Sequence, residues 1–499
     1  MNLELSEFLK FRKDFSLGFL TTESFHPLSK NLSEQANTNV RVAIDTLKNI
    51  DVEALTKLKT YSQSVYDLQV KCQKIIKGKN KIFLSGCGAT GRLALSMEKL
   101  YREKFQSDQV VGFMAGGDMA LIKSIERFED NKEFGKKQLQ DLNLTENDLL
   151  LAITEGGETS FVIGTAEYAA SICHVNPHFI YCNPDEQLMK IPRSAEILHN
   201  QKIDKLNLTI GAMAISGSTR MQATTVQMLA VGFALLYDHH NFENFEKDFE
   251  KYIDELISIN YSELETYIVN EVEVYQNNGI LHYQSNDHIA LAILTDTTER
   301  SPTFNLKAFE TKDDTDLALC YLSVGKGSDD RLAWKELLGR TPRALDWDHL
   351  DGLGSLEKLY QFDISHNSLI RRKKINKDVH VFKITDNEDS LIFDLESHTT
   401  HFPLRINELF FKHLSLKLLL NTHSTLVMGR MHRYVGNMMS YVRASNMKLI
   451  DRAIRYIEKH LADEGIVVSD TKVAELVFAN LELKEEPIVT RVLKQLKEN

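Results

Sequence analysis

Cysteine is sparse and scattered in this chain: Cys72, Cys87, Cys173, Cys182 and Cys320 show neither CxxC nor CxH spacing. Such a set excludes a disulfide framework and a conventionally spaced zinc site, and neither a metal nor another cofactor is expected. Long apolar runs are missing too. No stretch approaches the ~18 residues that a membrane span requires, and the start, Met1 to Glu7, lacks the basic-then-apolar order of a secretory signal. A cytoplasmic location without membrane contact is therefore expected. Basic charge is in deficit, with 59 Lys and Arg against 70 Asp and Glu and a formal net charge of -11, which argues against a nucleic-acid partner. A small basic pocket remains compatible with that balance.

What is present is ample core material: 499 residues, 43% of them hydrophobic, are enough for two or three domains. The chain is organised around Lys81-Ile82-Phe83-Leu84-Ser85-Gly86-Cys87-Gly88-Ala89-Thr90-Gly91-Arg92. A short apolar run stops at a glycine turn, and Leu93, Leu95, Met97 and Leu100 then resume at helical spacing, so the unit reads strand, turn, helix. Glycines let backbone N–H groups face a ligand, and the first helical turn adds unpaired donors and the positive end of its dipole. That arrangement is a phosphate cradle. Gly86, Gly88 and Gly91 also satisfy G-x-G-x-x-G, but where a dinucleotide site places an acidic residue ~20 residues on, the next strand runs into Gly116-Gly117-Asp118, which is late and carries a second glycine turn. Cys87 is read as a small side chain tolerated in the turn.

The segment up to about Lys79 reads as helical, apart from Thr21 to Leu28. From Lys81 strands and helices alternate: Ile82 to Leu84, Val110 to Met114, a helix around Ala120 to Phe128, Leu149 to Ile153, a helix from Ser160, and Phe179 to Tyr181. Alternation implies a parallel sheet with ligands beyond the carboxyl ends of its strands. Three more small-residue turns stand in such places, Ala115-Gly116-Gly117-Asp118, Thr154-Glu155-Gly156-Gly157-Glu158-Thr159 and Ser216-Gly217-Ser218-Thr219-Arg220. Together they favour an oxygen-rich anionic ligand such as a sugar phosphate. A surface connection is expected over Tyr237 to Lys251, followed by a second alternating region with strands at Ile289 to Leu294, Leu317 to Val324 and Val379 to Ile384. Arg371 to Lys374 is expected to be solvated, and the chain is helical again from about Asn407.

Gly86 to Arg92, Ala115 to Asp118, Glu126 to Asp130 and Ser216 to Met221 resemble, in order, the sugar isomerase (SIS) domain of N-acetylmuramic acid 6-phosphate etherases and of the glucokinase regulatory protein. Thr22-Glu23 and Pro27 look like those families' entry segment, and Asn421 to Thr425 and Ser445 to Leu449 like their C-terminal segment. The resemblance implies an α/β fold with two flavodoxin-like, parallel-sheet SIS domains in tandem, an N-terminal helical segment and a C-terminal helical cap. The boundaries expected are 1–60, 61–245, 246–435 and 436–499. A second α/β region between the Ser216 and Asn421 motifs matches the two-domain regulatory protein.

Carried over residue by residue, the resemblance implies a sugar-phosphate site of Ser85, Gly88, Thr90, Gly91, Thr154, Gly156, Ser216 and Ser218, closed by Asn446, Lys448 and Arg452. Glu129 matches a family acid. The second etherase acid falls at Leu100, with Glu98 two residues out of register, and Glu310 of the second domain is taken as its replacement. Glu155 and Glu158 depart from the family turn and are expected to point outward or to receive a sugar hydroxyl. The implied activity is binding of fructose 6-phosphate or an amino-sugar 6-phosphate by a regulator, with the etherase lyase as the alternative. A sugar kinase partner and a monomeric internal pseudo-dimer go with the regulator.

Overall fold

A computed structural model describes residues 5–125, 127–442, 444, 447–481 and 487–498. Helices Leu5–Phe15, Leu32–Thr38, Val40–Lys59 and Ser62–Lys77 lead into the first sheet. Its strands β1 (Ile82–Gly86), β2 (Val110–Met114), β3 (Leu149–Ile153), β4 (His178–Tyr181) and β5 (Asp204–Asn207) run parallel in the order β2-β1-β3-β4-β5. Ile82 stands beside both Val110 and Leu149. Every residue of β1 to β4 is buried, which is why these strands read as continuous apolar runs rather than alternating ones. Polar β5 gave no such signal.

The second sheet contains β6 (Ile280–Ser285), β7 (Cys320–Val324), β8 (Val379–Asp386), β9 (Ser390–Leu395) and β10 (His398–Pro403), in the order β10-β9-β8-β6-β7. Strand β6 is parallel to β7 and β8, whereas β9 and β10 are antiparallel additions. Two tandem α/β domains with helices at both ends are thus present, the first sheet wholly parallel and the second mixed.

Four expectations are corrected. Ile289 to Leu294 is not a strand but the start of helix Ala290–Phe304, and the strand is Ile280–Ser285. That helix is buried on nearly all sides between the domains, so it carries no amphipathic period to separate it from a buried strand. In place of a helix around Ala120 to Phe128 there is a 3-10 turn, Asp118–Leu121, and the helix is Lys132–Asp141, capped by Asn131 Oδ1 accepting from the Glu133 and Phe134 amides. The expected surface connection contains helix Phe242–Ser258, which buries Phe245, Phe249, Tyr252, Ile253 and Leu256. Within the basic run, Arg372 is buried and donates to Glu310 at 2.6 Å and to the Ala318 carbonyl at 2.8 Å.

Two elements join the domains. Helix Leu409–Arg430, buried from Phe410 to Gly429, packs against Ala290–Phe304 and Gln222–Leu236. Residues 340–354 of the second domain form a strap over the first: Arg340 and Arg343 grip Glu98 and Asp118, and Trp347 stacks on Phe128 at 5.5 Å. Helices Met447–Asp463, Asp470–Ala479 and Ile488–Glu498 form the C-terminal cap, tied to the N-terminal helix through Arg12 and Asp451 at 3.0 Å. Among the described residues no helix is long and apolar enough to cross a membrane.

Candidate functional site

The first glycine turn is shaped by close approach. A Cβ on Gly86 would lie 2.3 Å from the Thr90 backbone, and one on Gly91 2.3 Å from Met114 Cβ, so helix Ala89–Phe105 can begin directly behind β1 only with glycine at both places. Gly88 takes φ 55 and caps that helix. Thr90 Oγ1 accepts from the Cys87 amide at 3.0 Å and donates to its carbonyl at 2.9 Å, so this hydroxyl closes the turn. Ser85 is corrected: its side chain is fully buried and its hydroxyl lies 2.7 Å from Thr165 Oγ1 on helix Ser160–Ile172, away from the turn.

The third turn supplies carboxylates. Both are buried, so they do not point outward, the first of the two expected arrangements. Glu158 accepts from Arg193 Nη2 and from Lys448 Nζ, each at 2.6 Å, and these cations hold its carboxyl down at about 2 despite burial. Among the described residues no cation contacts Glu155; Thr224 Oγ1 donates to it at 2.8 Å, and burial pushes it up to about 7. Thr154 Oγ1 lies 3.2 Å from Thr159 Oγ1 and accepts from the Gly157 amide at 3.3 Å, while the Gly156 carbonyl accepts from Asn183.

The cap descends onto these turns. Lys448 Nζ is 3.8 Å from Glu129 Oε1, bringing cap, third turn and the segment after β2 together. The Glu129 side chain is 39% exposed, yet its cleft and the nearby Glu158 and Asp130 charges raise its pKa, with Lys448 opposing. Arg452 donates to Glu23 at 3.1 and 2.5 Å, and Arg455 reaches the same carboxylate at 3.2 Å, holding it at about 2. Glu23 belongs to the N-terminal entry, which is fixed to the fourth turn: Ser216 Oγ donates to the Glu23 carbonyl at 2.6 Å and the Gly217 amide to the Thr22 carbonyl at 3.0 Å. Tyr456 of the cap donates to the Ser216 carbonyl at 2.9 Å. Ser218 is buried next to this junction. Asn446 lies outside the described residues, as do Glu126 and Ser445.

An N-acetylmuramic acid 6-phosphate etherase of Vibrio cholerae is 32% identical over 218 residues, covering 42% of this chain and 67% of that protein. The chain belongs to the N-acetylmuramic acid 6-phosphate etherase family. A second etherase, from Photobacterium profundum, is 30% identical over 213 residues, covering 40% of this chain and 67% of its own length. One from Klebsiella aerogenes is 29% identical over 215 residues, covering 41% and 68%. The model of the glucokinase regulatory protein N-terminal SIS domain matches residues 67–170.

Against the pattern of the etherase family, Glu310 is corrected. It lies in the loop after helix Ala290–Phe304, and its buried carboxylate is taken up by Arg371 at 2.8 Å, Arg372 at 2.6 Å and the Ala318 amide at 2.9 Å. Glu98 is likewise enclosed by Arg340 and Arg343. The residue that sequence reasoning missed is Glu299. Leu100 stands fourteen residues beyond the end of β1, and Glu299 fourteen beyond the end of β6, on the corresponding helix of the second domain. Glu299 is 7% exposed, its Oε1 is 3.6 Å from Arg92 of the first turn, and its charge helps raise the pKa of Glu155. Reading Ile289 to Leu294 as a strand had hidden this register.

Proposed function

We propose that the protein binds a hexose 6-phosphate, fructose 6-phosphate or an amino-sugar 6-phosphate, between its two SIS domains and beneath the cap. The observation that carries this reading is Lys448, a cap ammonium brought down onto the third glycine turn between Glu158 and Glu129. A phosphate entering there would take donors from the amides at the start of helix Ala89–Phe105 and from Lys448, while Arg452 holds the cap to Glu23. Backbone at Gly88, Gly91 and Gly156 and the hydroxyls of Thr90, Thr154 and Ser218 shape that cradle. The two-domain, capped arrangement supports a regulator of glucokinase-regulatory-protein type, for which a sugar kinase partner and a cytoplasmic monomer are part of the proposal. Calorimetry with fructose 6-phosphate, glucosamine 6-phosphate and N-acetylmuramic acid 6-phosphate tests it; the absence of binding by all three refutes it.

The etherase activity itself is the second reading, favoured by family membership and by carboxylates from both domains near one site. Glu129 would remove the proton next to the carbonyl of the opened sugar. Glu299 would protonate the departing lactyl ether oxygen, and water would then add to the double bond. Lactate release from N-acetylmuramic acid 6-phosphate, lost in Glu129→Gln and Glu299→Gln, establishes this reading. No release at high protein concentration removes it.

A further inference from the structure

Arg92 and Arg220 belong to two of the small-residue turns, yet neither faces the cap. Both turn inward and line a cavity between the domains, together with Ala89, Thr295, Glu299 and Asn421. Each guanidinium is more than nine-tenths buried and loosely held. Arg92 makes contacts of 3.1 to 3.6 Å with the Ala120 and Leu121 carbonyls, Thr298 and Glu299. Arg220 makes contacts of 3.3 to 3.5 Å with Asp296, Asn421, Ser424 and Thr425. Among the described residues Arg92 Nε, Arg220 Nε and Thr295 Oγ1 have no hydrogen-bond partner, a costly state for buried donors.

The charges around the cavity do not close on themselves. Asp296 is held mainly by Arg300, at 2.9 and 3.1 Å, and by Ser424 at 2.6 Å. Lys417 is engaged with the Arg220 and Met221 carbonyls and Thr225 Oγ1. Arg92 is left with Glu299 at 3.6 Å, and Arg220 with a share of Asp296 at 3.3 Å, so neither arginine has a carboxylate to itself at close range. A planar monoanion suits two guanidinium forks, whereas a phosphate dianion would be repelled by Glu299 and Asp296.

We infer that this inter-domain cavity receives a carboxylate, held by Arg92 and Arg220 with the Thr295 hydroxyl. The carboxylate comes either as a free small acid or as the acid arm of the bound sugar phosphate. Ala89 lines the cavity directly behind Gly88, so the arm of a sugar seated at the first turn has an adjacent place to go. The arm version rests on the sugar-phosphate reading above; the free-acid version does not.

The test compares N-acetylmuramic acid 6-phosphate with N-acetylglucosamine 6-phosphate, which lacks the lactyl arm, and separately D-lactate against chloride at equal ionic strength. Affinity and thermal protection are measured on wild type, Arg220→Gln and Thr295→Val. With the arm as source, Arg220→Gln loses ~10–100-fold in affinity for the acid-bearing sugar and under ~3-fold for the other, as expected for charge-assisted bonds. With a free acid as source, lactate protects wild type and not Arg220→Gln. Thr295→Val moves the same readouts by a smaller factor and keeps the test open should Arg220→Gln fold poorly. Equal losses for both sugars, or no dependence of either carboxylate on Arg220 and Thr295, overturns the inference. Failure of both sugars to bind wild type, with lactate still protecting, refutes the sugar-phosphate reading alone.

Discussion

Lys448→Met separates the two jobs that the cap ammonium would perform. In the free protein Lys448 is paired to Glu158 at 2.6 Å and stands 3.8 Å from Glu129. Removing it leaves Glu158 with Arg193 at 2.6 Å, so the fold keeps one partner for that buried charge, and the loss of stability is about 1–3 kcal/mol rather than that of a wholly orphaned carboxylate. A charge-assisted bond from Lys448 to a phosphate contributes about 1.5–3 kcal/mol, or ~10–150-fold in affinity. Because the ammonium must first give up part of its hold on Glu158, the lower end, ~10-fold, is expected. Calorimetry with fructose 6-phosphate at fixed salt reads the affinity, and a thermal melt shows that the variant is folded. Glu158→Gln supplies the opposite sign: it releases Lys448 and tightens binding several-fold. A folded Lys448→Met protein that binds within ~2-fold of wild type, or a Glu158→Gln protein that binds more weakly, refutes the argument.

Other perturbations have equally definite signs. Glu155 titrates at about 7 in the folded protein and near 4.5 unfolded, so the folded state holds the extra proton between those values and stability falls as pH rises through that window. Glu155→Gln, which keeps an acceptor for Thr224, therefore gains up to about 3 kcal/mol over wild type at pH 8 and almost nothing at pH 4, read from denaturant melts at both. Glu23 runs the other way: its carboxyl is depressed to about 2, its stabilisation is present above pH 4.5 and lost as pH falls toward 2, and Glu23→Gln costs about 3–5 kcal/mol at pH 7 by stranding Arg452. Gly91→Ala forces a Cβ against Met114 and costs about 1–3 kcal/mol in a thermal melt, with weakened phosphate binding because the turn must open. Trp347→Ala removes the ring stacked on Phe128, next to Glu129, and costs about 3–5 kcal/mol in a urea melt.

Much of the first domain was legible because its strands are short apolar runs ended by glycine turns, a local pattern that needs no distant partner. The same locality placed Gly86, Gly88 and Gly91 at the start of a helix, whereas the cap segment of Lys448 and Arg452 was implied only by the family resemblance. The helix Ala290–Phe304 was misread because burial on both sides removes the period that distinguishes helix from strand, and with it went the register that points to Glu299. Glu310 was taken for the second acid for a different reason: only packing reveals that Arg371 and Arg372, distant in sequence, neutralise it.

The sequence by itself pointed to an anionic ligand, because a turn's ability to present amides to an anion depends on glycines at fixed spacing. Tertiary structure alone decided which charges are available to it. Lys448 is matched by Glu158, Arg452 by Glu23 and Glu98 by the strap, whereas Arg92 and Arg220 are left looking into the space between the domains. Electrostatic pairing acts over a few ångströms between residues hundreds of positions apart, and local sequence carries no record of it.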